Sequence, residues 1–378
     1  MKKILKSSIY ASLALSTFIG TNLSANTLDE AFANAKVNGE VKAQYFEKES
    51  STGVESNILA IGGNLNIATA PIQGLSAKVT FQTSSIVNDK NVAAYSGDMD
   101  GSGAVMSQSY LNYVIKDTTL RYGRQYIGTK LVNGSGSRMI KQSFYGAFVQ
   151  NKSILDTILS AAYVTKYQDR TDNDGNVGRF EDYEDGFYTV QAQNESIENL
   201  KVIVEYLNIN GKTANSDENT LYADATYKIP SIASSIAAQT YRSDNDGEVK
   251  GNLYGFKANT KIDALSLTVS YSKQNDGVVT NGVGSNAEQI FTESAFRGGR
   301  YDTNLKALQF KVGYDFGNGI KVRATTTSWD EDGGTKSRET SARVSYAFSK
   351  TGSVEYRYGK FTNYAYDNRS RLYISYKF

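Results

Sequence analysis

Charged residues at alternate positions are the part of this sequence with a direct chemical consequence. Toward the C-terminus, Lys311, Lys321, Arg323, Arg343, Arg357 and Arg371 each sit beside apolar neighbours, as in Val322-Arg323-Ala324 and Tyr356-Arg357-Tyr358. Successive side chains of an extended strand point to opposite faces, so these cations share one face and the apolar residues the other. Fixed cations attract anions; they do not make or break bonds. The chain has no His and no Cys. That removes the commonest general base, the Ser-His-Asp arrangement, the usual zinc ligands and any disulfide framework. Asp172-Asn173-Asp174-Gly175 with Glu181 resembles part of a calcium loop, but Arg170 occupies the first ligand position. Asp244-Asn245-Asp246-Gly247 lacks the closing acid, so both stretches read as turns. No cofactor or metal is implied, and no enzyme activity is expected.

The elements that must position the cations are strands. About eighteen alternating segments run from Ala35–Glu47 to Ser370–Phe378. Leu265, Leu267, Val269 and Tyr271 alternate with Ser266, Thr268, Ser270 and Ser272; Leu308, Phe310, Val312 and Tyr314 alternate with Gln309 and Lys311. Parity is ambiguous near Thr118–Lys166, where Arg124 and Phe144 disturb it. The connections alternate in length. Short turns such as Pro230–Ile232 and Phe316–Gly319 are separated by long polar loops, notably Ser84–Ser107, Ile127–Gln142, Tyr167–Asp185 and Lys273–Asn304. Short turns at one rim and long loops at the other are the pattern of a transmembrane antiparallel β-barrel, most simply of 18 strands. A soluble sandwich has no reason to segregate loop length by parity.

The N-terminus fits export. Lys2, Lys3 and Lys6 precede the mostly apolar Ile9–Ile19, and Leu23-Ser24-Ala25 suits cleavage, giving a signal peptide over residues 1–25 and a barrel over 26–378. Taking three lysines from the 41 basic residues leaves 38 against 39 acids, a balance that argues against nucleic acid as a partner. The last strand places Leu372, Ile374, Tyr376 and Phe378 on one face and Arg371, Tyr373, Ser375 and Lys377 on the other. Its ending on Phe378 resembles the terminal strand by which outer-membrane barrels engage the barrel-assembly machinery. Outer-membrane lipid, lipopolysaccharide and small hydrophilic solutes are the further expected partners, and a homotrimer is an open possibility.

With apolar faces toward lipid, the alternate residues line a lumen. Its cations would include Lys42, Lys78, Lys201, Lys257, Lys311, Lys321, Arg323, Arg343, Arg357, Arg371 and Lys377; the acids Glu40, Glu205, Asp224 and Glu355 are fewer. The expectation is a water-filled pore in the bacterial outer membrane for passive diffusion of small solutes and ions. Two readings of its charge stand side by side: a basic flank favouring anions, or a polar wall whose cations are compensated locally. A general channel without substrate preference, or a non-conducting adhesin-like barrel, are the alternatives. Loop Ile127–Gln142, with Lys130 and Arg138, is the candidate constriction.

The stretch from Leu120 to Tyr167 resembles the OprD-type specific porins, especially their epsilonproteobacterial relatives. Gly123-Arg124-Gln125, Arg138-Met139 and Ser143-Phe144 match that family's pattern. Lys130 replaces its Pro, and Gly134-Ser135-Gly136 replaces its paired acids. The resemblance implies an eighteen-stranded channel narrowed by inward-folded third and seventh loops, with a ladder of cations guiding carboxylate-bearing solutes. Arg138 then corresponds to the family's third-loop Arg, and Arg121, Arg124 and Lys130 join the pore residues.

Overall fold

The computed structural model describes residues 24–172, 174–213, 216–287, 289–332 and 334–378. Residues 1–23 of the expected signal peptide lie outside this set. A short helix, α1 (Leu28–Ala33), precedes eighteen antiparallel strands. The first nine are β1 (Lys36–Ser50), β2 (Glu55–Ala68), β3 (Leu75–Lys90), β4 (Gly103–Ile115), β5 (Thr118–Gln125), β6 (Ser143–Asn151), β7 (Thr157–Gln168), β8 (Phe180–Asn194) and β9 (Leu200–Ile209). The rest are β10 (Glu218–Ile229), β11 (Ser234–Asn245), β12 (Gly251–Ile262), β13 (Leu265–Gln274), β14 (Leu305–Asp315), β15 (Ile320–Glu331), β16 (Ser337–Ala347), β17 (Gly352–Thr362) and β18 (Tyr366–Lys377). Each strand pairs with its sequence neighbours, and β1 pairs with β18, Val41 opposite Tyr376 and Tyr45 opposite Leu372. The sheet therefore closes and has no free edge.

Alternation explains the wall. Val41, Leu111, Tyr122, Phe256, Phe310 and Ile374 are exposed on the outer surface, while Lys42, Gln44, Thr189, Gln309 and Thr327 are buried inside. A continuous apolar belt of this kind is stable only against a non-aqueous surround, and a closed barrel is the sheet that satisfies its backbone there. The short connections tolerate left-handed backbone where they reverse. Asp263, first of the two residues joining β12 to β13, has φ 51°, and Gly317 and Gly319 between β14 and β15 have φ 75° and 89°. Pro71 and Pro230 also fall in short connections, outside the ladder. β3 continues to Lys90 and β8 starts at Phe180, so strands project further toward the long-loop rim than alternation alone suggests.

The lumen is not uniformly polar. Phe144, Phe148, Phe187, Leu207, Tyr222, Tyr241 and Leu253 point inward from β6, β8, β9, β10, β11 and β12 and are buried against Ile127, Leu131, Val132, Val279, Val283 and Ile290. A second cluster joins Phe46, Ile58 and Ala60 of β1 and β2 to Tyr95, Met99, Met139, Ile140 and Val177. These loop residues come from the connections after β3, β5, β7 and β13. The long loops thus fold into the barrel and form a hydrophobic core within it. Full burial of each large side chain contributes on the order of 1.5–3 kcal/mol, which holds the loops in place.

Candidate pore constriction

The wall cations form an ordered row. Arg323 of β15 is the cross-strand partner of Arg343 on β16, Arg343 of Arg357 on β17, and Arg357 of Arg371 on β18. The row climbs as it goes round. Arg323 lies three residues inside the short-turn end of its strand, Arg343 four, Arg357 five and Arg371 six. Exposure falls along it, from the exposed Arg323 through side-chain values of 39% for Arg343 and 23% for Arg357 to a buried Arg371. Like charges opposite one another repel, and one carboxylate offsets this. Glu355 pairs with both Arg343 and Arg357, the latter at 2.5 Å.

The row ends where the loops meet. Phe46 of β1 is the cross-strand partner of Arg371, whose guanidinium lies 4.9 Å from the Phe46 ring centre and 4.9 Å from that of Phe296 in the β13–β14 loop. Arg138, from the β5–β6 loop, sits 5.1 Å from the same Phe46 ring. Its Nε donates to Asp98 Oδ1 at 2.5 Å, and Arg170 Nη1 reaches that oxygen at 3.1 Å. Burial opposes ionisation of Asp98, but the two guanidiniums outweigh it and hold the carboxyl below the ordinary range. Lys42 Nζ donates to the carbonyls of Arg138 and Met139 at 3.1 and 2.9 Å. Arg138 is therefore fixed where three connections, those after β3, β5 and β7, meet the wall and the top of the arginine row.

Two buried glutamates anchor the constricting loops. Glu205 of β9 accepts from the backbone N–H of Lys130 at 2.6 Å and of Leu131 at 3.0 Å, and from Thr189 and Gln191, each at 2.7 Å. Glu339 of β16 accepts from the N–H groups of Ala295, Phe296 and Arg297 at 3.0, 3.3 and 3.2 Å, and from Ser294 Oγ at 2.8 Å. The anchored loops then join. Val283 N–H donates to Leu131 O at 2.8 Å, and Asn133 N–H to Val283 O at 3.0 Å. Gln142 links them again, donating to Ser285 Oγ at 2.9 Å and accepting from Ser285 N–H at 2.9 Å. The result is one hydrogen-bonded partition across part of the lumen. Beneath the β13–β14 loop it leaves a cavity of about 180 Å³ lined by Lys311, Arg323, Arg343 and Arg357 together with Glu293.

The remaining expected pore residues divide. Arg121 points inward, its guanidinium 5.6 Å from the Tyr110 ring centre and 5.0 Å from that of Phe148. Lys130 also lies inside, but its ammonium is paired with Asp224 at 2.8 Å. Lys321 pairs with Asp315 at 3.0 Å near the short-turn rim, far from the partition. Arg124 corrects the sequence reading. It shares the parity of Leu120 and Tyr122 and lies on the outer face, 4.6 Å from the Phe180 ring centre, with Nη1 donating to Met106 O at 3.3 Å. β5 keeps strict alternation, so Gly123 and Gln125 face inward instead. Phe378 exchanges backbone hydrogen bonds with Gly39, both at 3.1 Å. Its ring packs where a Cβ on Gly39 would stand, 2.6 Å away.

Glu339, Asp98 and Arg170 were not among the expected pore residues, and Glu205 was only one of several lumen acids. A signal for the partition was present in the disturbed parity at Phe144. An aromatic residue on the lumen face needs an apolar partner, and only an inward-folded loop supplies one. Among the described residues no group of acids is placed to hold a metal ion; Asp172 instead accepts from Asp174 and Asn176 N–H within its own turn, at 3.0 and 2.8 Å.

No protein-family profile matches this chain, and no curated protein does. Solved structures do. OccK9 (OpdG) of Pseudomonas aeruginosa superposes with a TM-score of 0.79 at 15% identity, over 92% of this chain and 99% of that one. OccAB1 of Acinetobacter baumannii gives 0.75 at 15% identity, over 94% and 99%. OccAB2 of the same organism gives 0.75 at 19% identity, over 92% and 99%. The likeness covers both barrels end to end, and at these identities it is a likeness of fold: a closed barrel of eighteen strands.

Proposed function

We propose that this chain is an outer-membrane channel of the OprD type, through which small hydrophilic solutes diffuse passively, and that its lumen favours anionic and carboxylate-bearing ones. The observation that carries the preference is the arginine row. Four guanidiniums in direct succession have one carboxylate, Glu355, between them. Other lumen acids are committed elsewhere: Glu205 and Glu339 to loop N–H groups, Asp224 to Lys130. Glu293 faces the same cavity as Lys311, Arg323, Arg343 and Arg357, so with Glu355 two carboxylates stand against these four cations and Arg371, and local compensation is partial. A unit charge about 8 Å from a permeating ion is worth ~0.5 kcal/mol in bulk water and more in confined water. Each cation then favours an anion over a neutral solute by a factor of about two, and an anion over a cation by about five. The row runs from the short-turn rim to the Arg138 junction, so an anion meets cations along its path rather than at one point.

The apolar outer belt and the closed sheet support the membrane setting, and the barrel likeness supports the outer membrane. Reversal potential across a planar bilayer under a potassium chloride gradient tests the preference. Anion selectivity is expected, and clear cation selectivity would sink it. Liposome swelling with carboxylates against neutral sugars of equal size then tests whether carboxylates are favoured.

A further inference from the structure

Charge is distributed unevenly around the outside of the long-loop rim. On β1 and β2 the outward positions there hold Glu47, Glu49 and Glu55, the last two directly opposite one another. On β13 to β17 the corresponding positions hold Lys273, Lys306, Arg338 and Lys360, with Asp330 the outward carboxylate. Parity fixes these directions: Lys273 follows Val269 and Tyr271, Lys306 precedes Leu308 and Phe310, and Lys360 follows Tyr356 and Tyr358. Lys273 and Lys306 are direct cross-strand partners, a juxtaposition that costs stability unless an anion lies against it. Asp330 stands opposite Lys306 in register, but its carboxylate is 3.3 Å from Lys336 Nζ. Arg338 donates to Ser328 Oγ at 3.2 Å. None of Lys273, Lys306, Arg338 and Lys360 forms an ion pair among the described residues.

Lys306 and Arg338, with Lys336 and its partner Asp330, form the polar edge of a surface cavity of about 480 Å³ whose apolar side is Tyr271 and Leu308, and Lys273 stands beside it as the cross-strand partner of Lys306. Below it runs the apolar belt. A cationic pocket directly above an apolar face fits a molecule with an anionic head and hydrocarbon chains. We propose that this outer face of β13 to β17 docks a phosphorylated, acylated glycolipid of the outer leaflet. Its phosphate lies against Lys306, Arg338 and Lys273, and its acyl chains run along Tyr271, Leu308 and Phe310. Glu55 is paired with Lys90 at 3.0 Å, but Glu47 and Glu49 keep the β1 rim acidic and unfavourable to the same headgroup, so docking is one-sided. This proposal rests on the outer-membrane placement given above.

The test is native mass spectrometry of the full chain after exchange through detergent with deep-rough lipopolysaccharide, with bilayer conductance measured in parallel. The wild-type barrel is expected to retain the lipid. A Lys306→Gln/Arg338→Gln double variant should retain it about thirty-fold less well, from about 1 kcal/mol per cation near a lipid surface. Lys152→Gln, in a turn at the opposite rim, should match wild type, as should the conductance of every variant. Dephosphorylated lipopolysaccharide should be lost from wild type as readily as the intact lipid is from the double variant. Equal retention by wild type and the double variant would overturn the proposal, as would an equal loss in Lys152→Gln. A barrel that retains the lipid in this pattern but does not conduct would refute the channel reading and leave the docking site standing.

Discussion

Replacing Glu205 by Ala isolates what holds the partition. The carboxylate accepts four hydrogen bonds, two of them from the loop backbone at Lys130 and Leu131. Hydrogen bonds to a charged acceptor contribute about 1.5–3 kcal/mol each, so the substitution removes roughly 3–6 kcal/mol from docking of the β5–β6 loop. Apolar burial of Leu131 and Val132 and the bridge to Val283 remain. The loop should therefore stay docked on average while its undocked population rises at least a hundredfold, since 1.4 kcal/mol is a factor of about ten. In single-channel recordings this appears as open-channel noise and excursions to a larger conductance. Glu205→Gln keeps one acceptor oxygen for the loop, and Thr189 and Gln191 can reverse their donor roles toward its amide, so its effect should be much smaller. Unchanged heat-modifiable mobility on gels checks that the barrel itself is intact. If Glu205→Ala conducts with the noise and amplitude of wild type, the carboxylate does not hold the loop and the reasoning fails.

Arg323→Ala should lower the anion-over-cation permeability ratio about fivefold by reversal potential, whereas Arg124→Ala, on the outer face, should leave it unchanged; a shift in the second and none in the first would reverse the assignment of faces. Asp98 supplies a pH dependence. Its folded carboxyl is held below the ordinary range, so the clamp on Arg138 is fully present above the ordinary aspartate pKa and is lost only as pH falls through the depressed value. Channel noise should accordingly stay low through the usual carboxylate range and rise below it, and Asp98→Asn should be noisy at neutral pH. Deleting Phe378 removes two backbone bonds to Gly39 and the ring over it, and should reduce the folded fraction recovered from membranes in a gel-shift assay; equal recovery would remove the proposed assembly role.

Strand number, the pairing of β1 with β18 and the inward direction of Arg323, Arg343, Arg357 and Arg371 were all legible before folding. Each follows from a period-two pattern, and a strand has only two faces. Arg124 was misplaced because the resemblance carried by Gly123-Arg124-Gln125 drew it into the pore set where parity was ambiguous, while β5 simply continues its alternation and leaves Arg124 at the outer rim. Glu339 was invisible for a different reason. In Arg338-Glu339-Thr340 it is one of several charges in a polar stretch, and its role exists only because a loop 42 residues away in sequence donates to it.

The sequence by itself determined the barrel, because alternation and loop parity are local properties that a bilayer converts into one closed sheet. Tertiary structure alone decided the pore. Register set the four arginines opposite one another and made the row climb toward the partition. Burial of loop residues on Phe46 and Phe144 brought Arg138 to the end of that row, through contacts between segments that no period in the sequence connects.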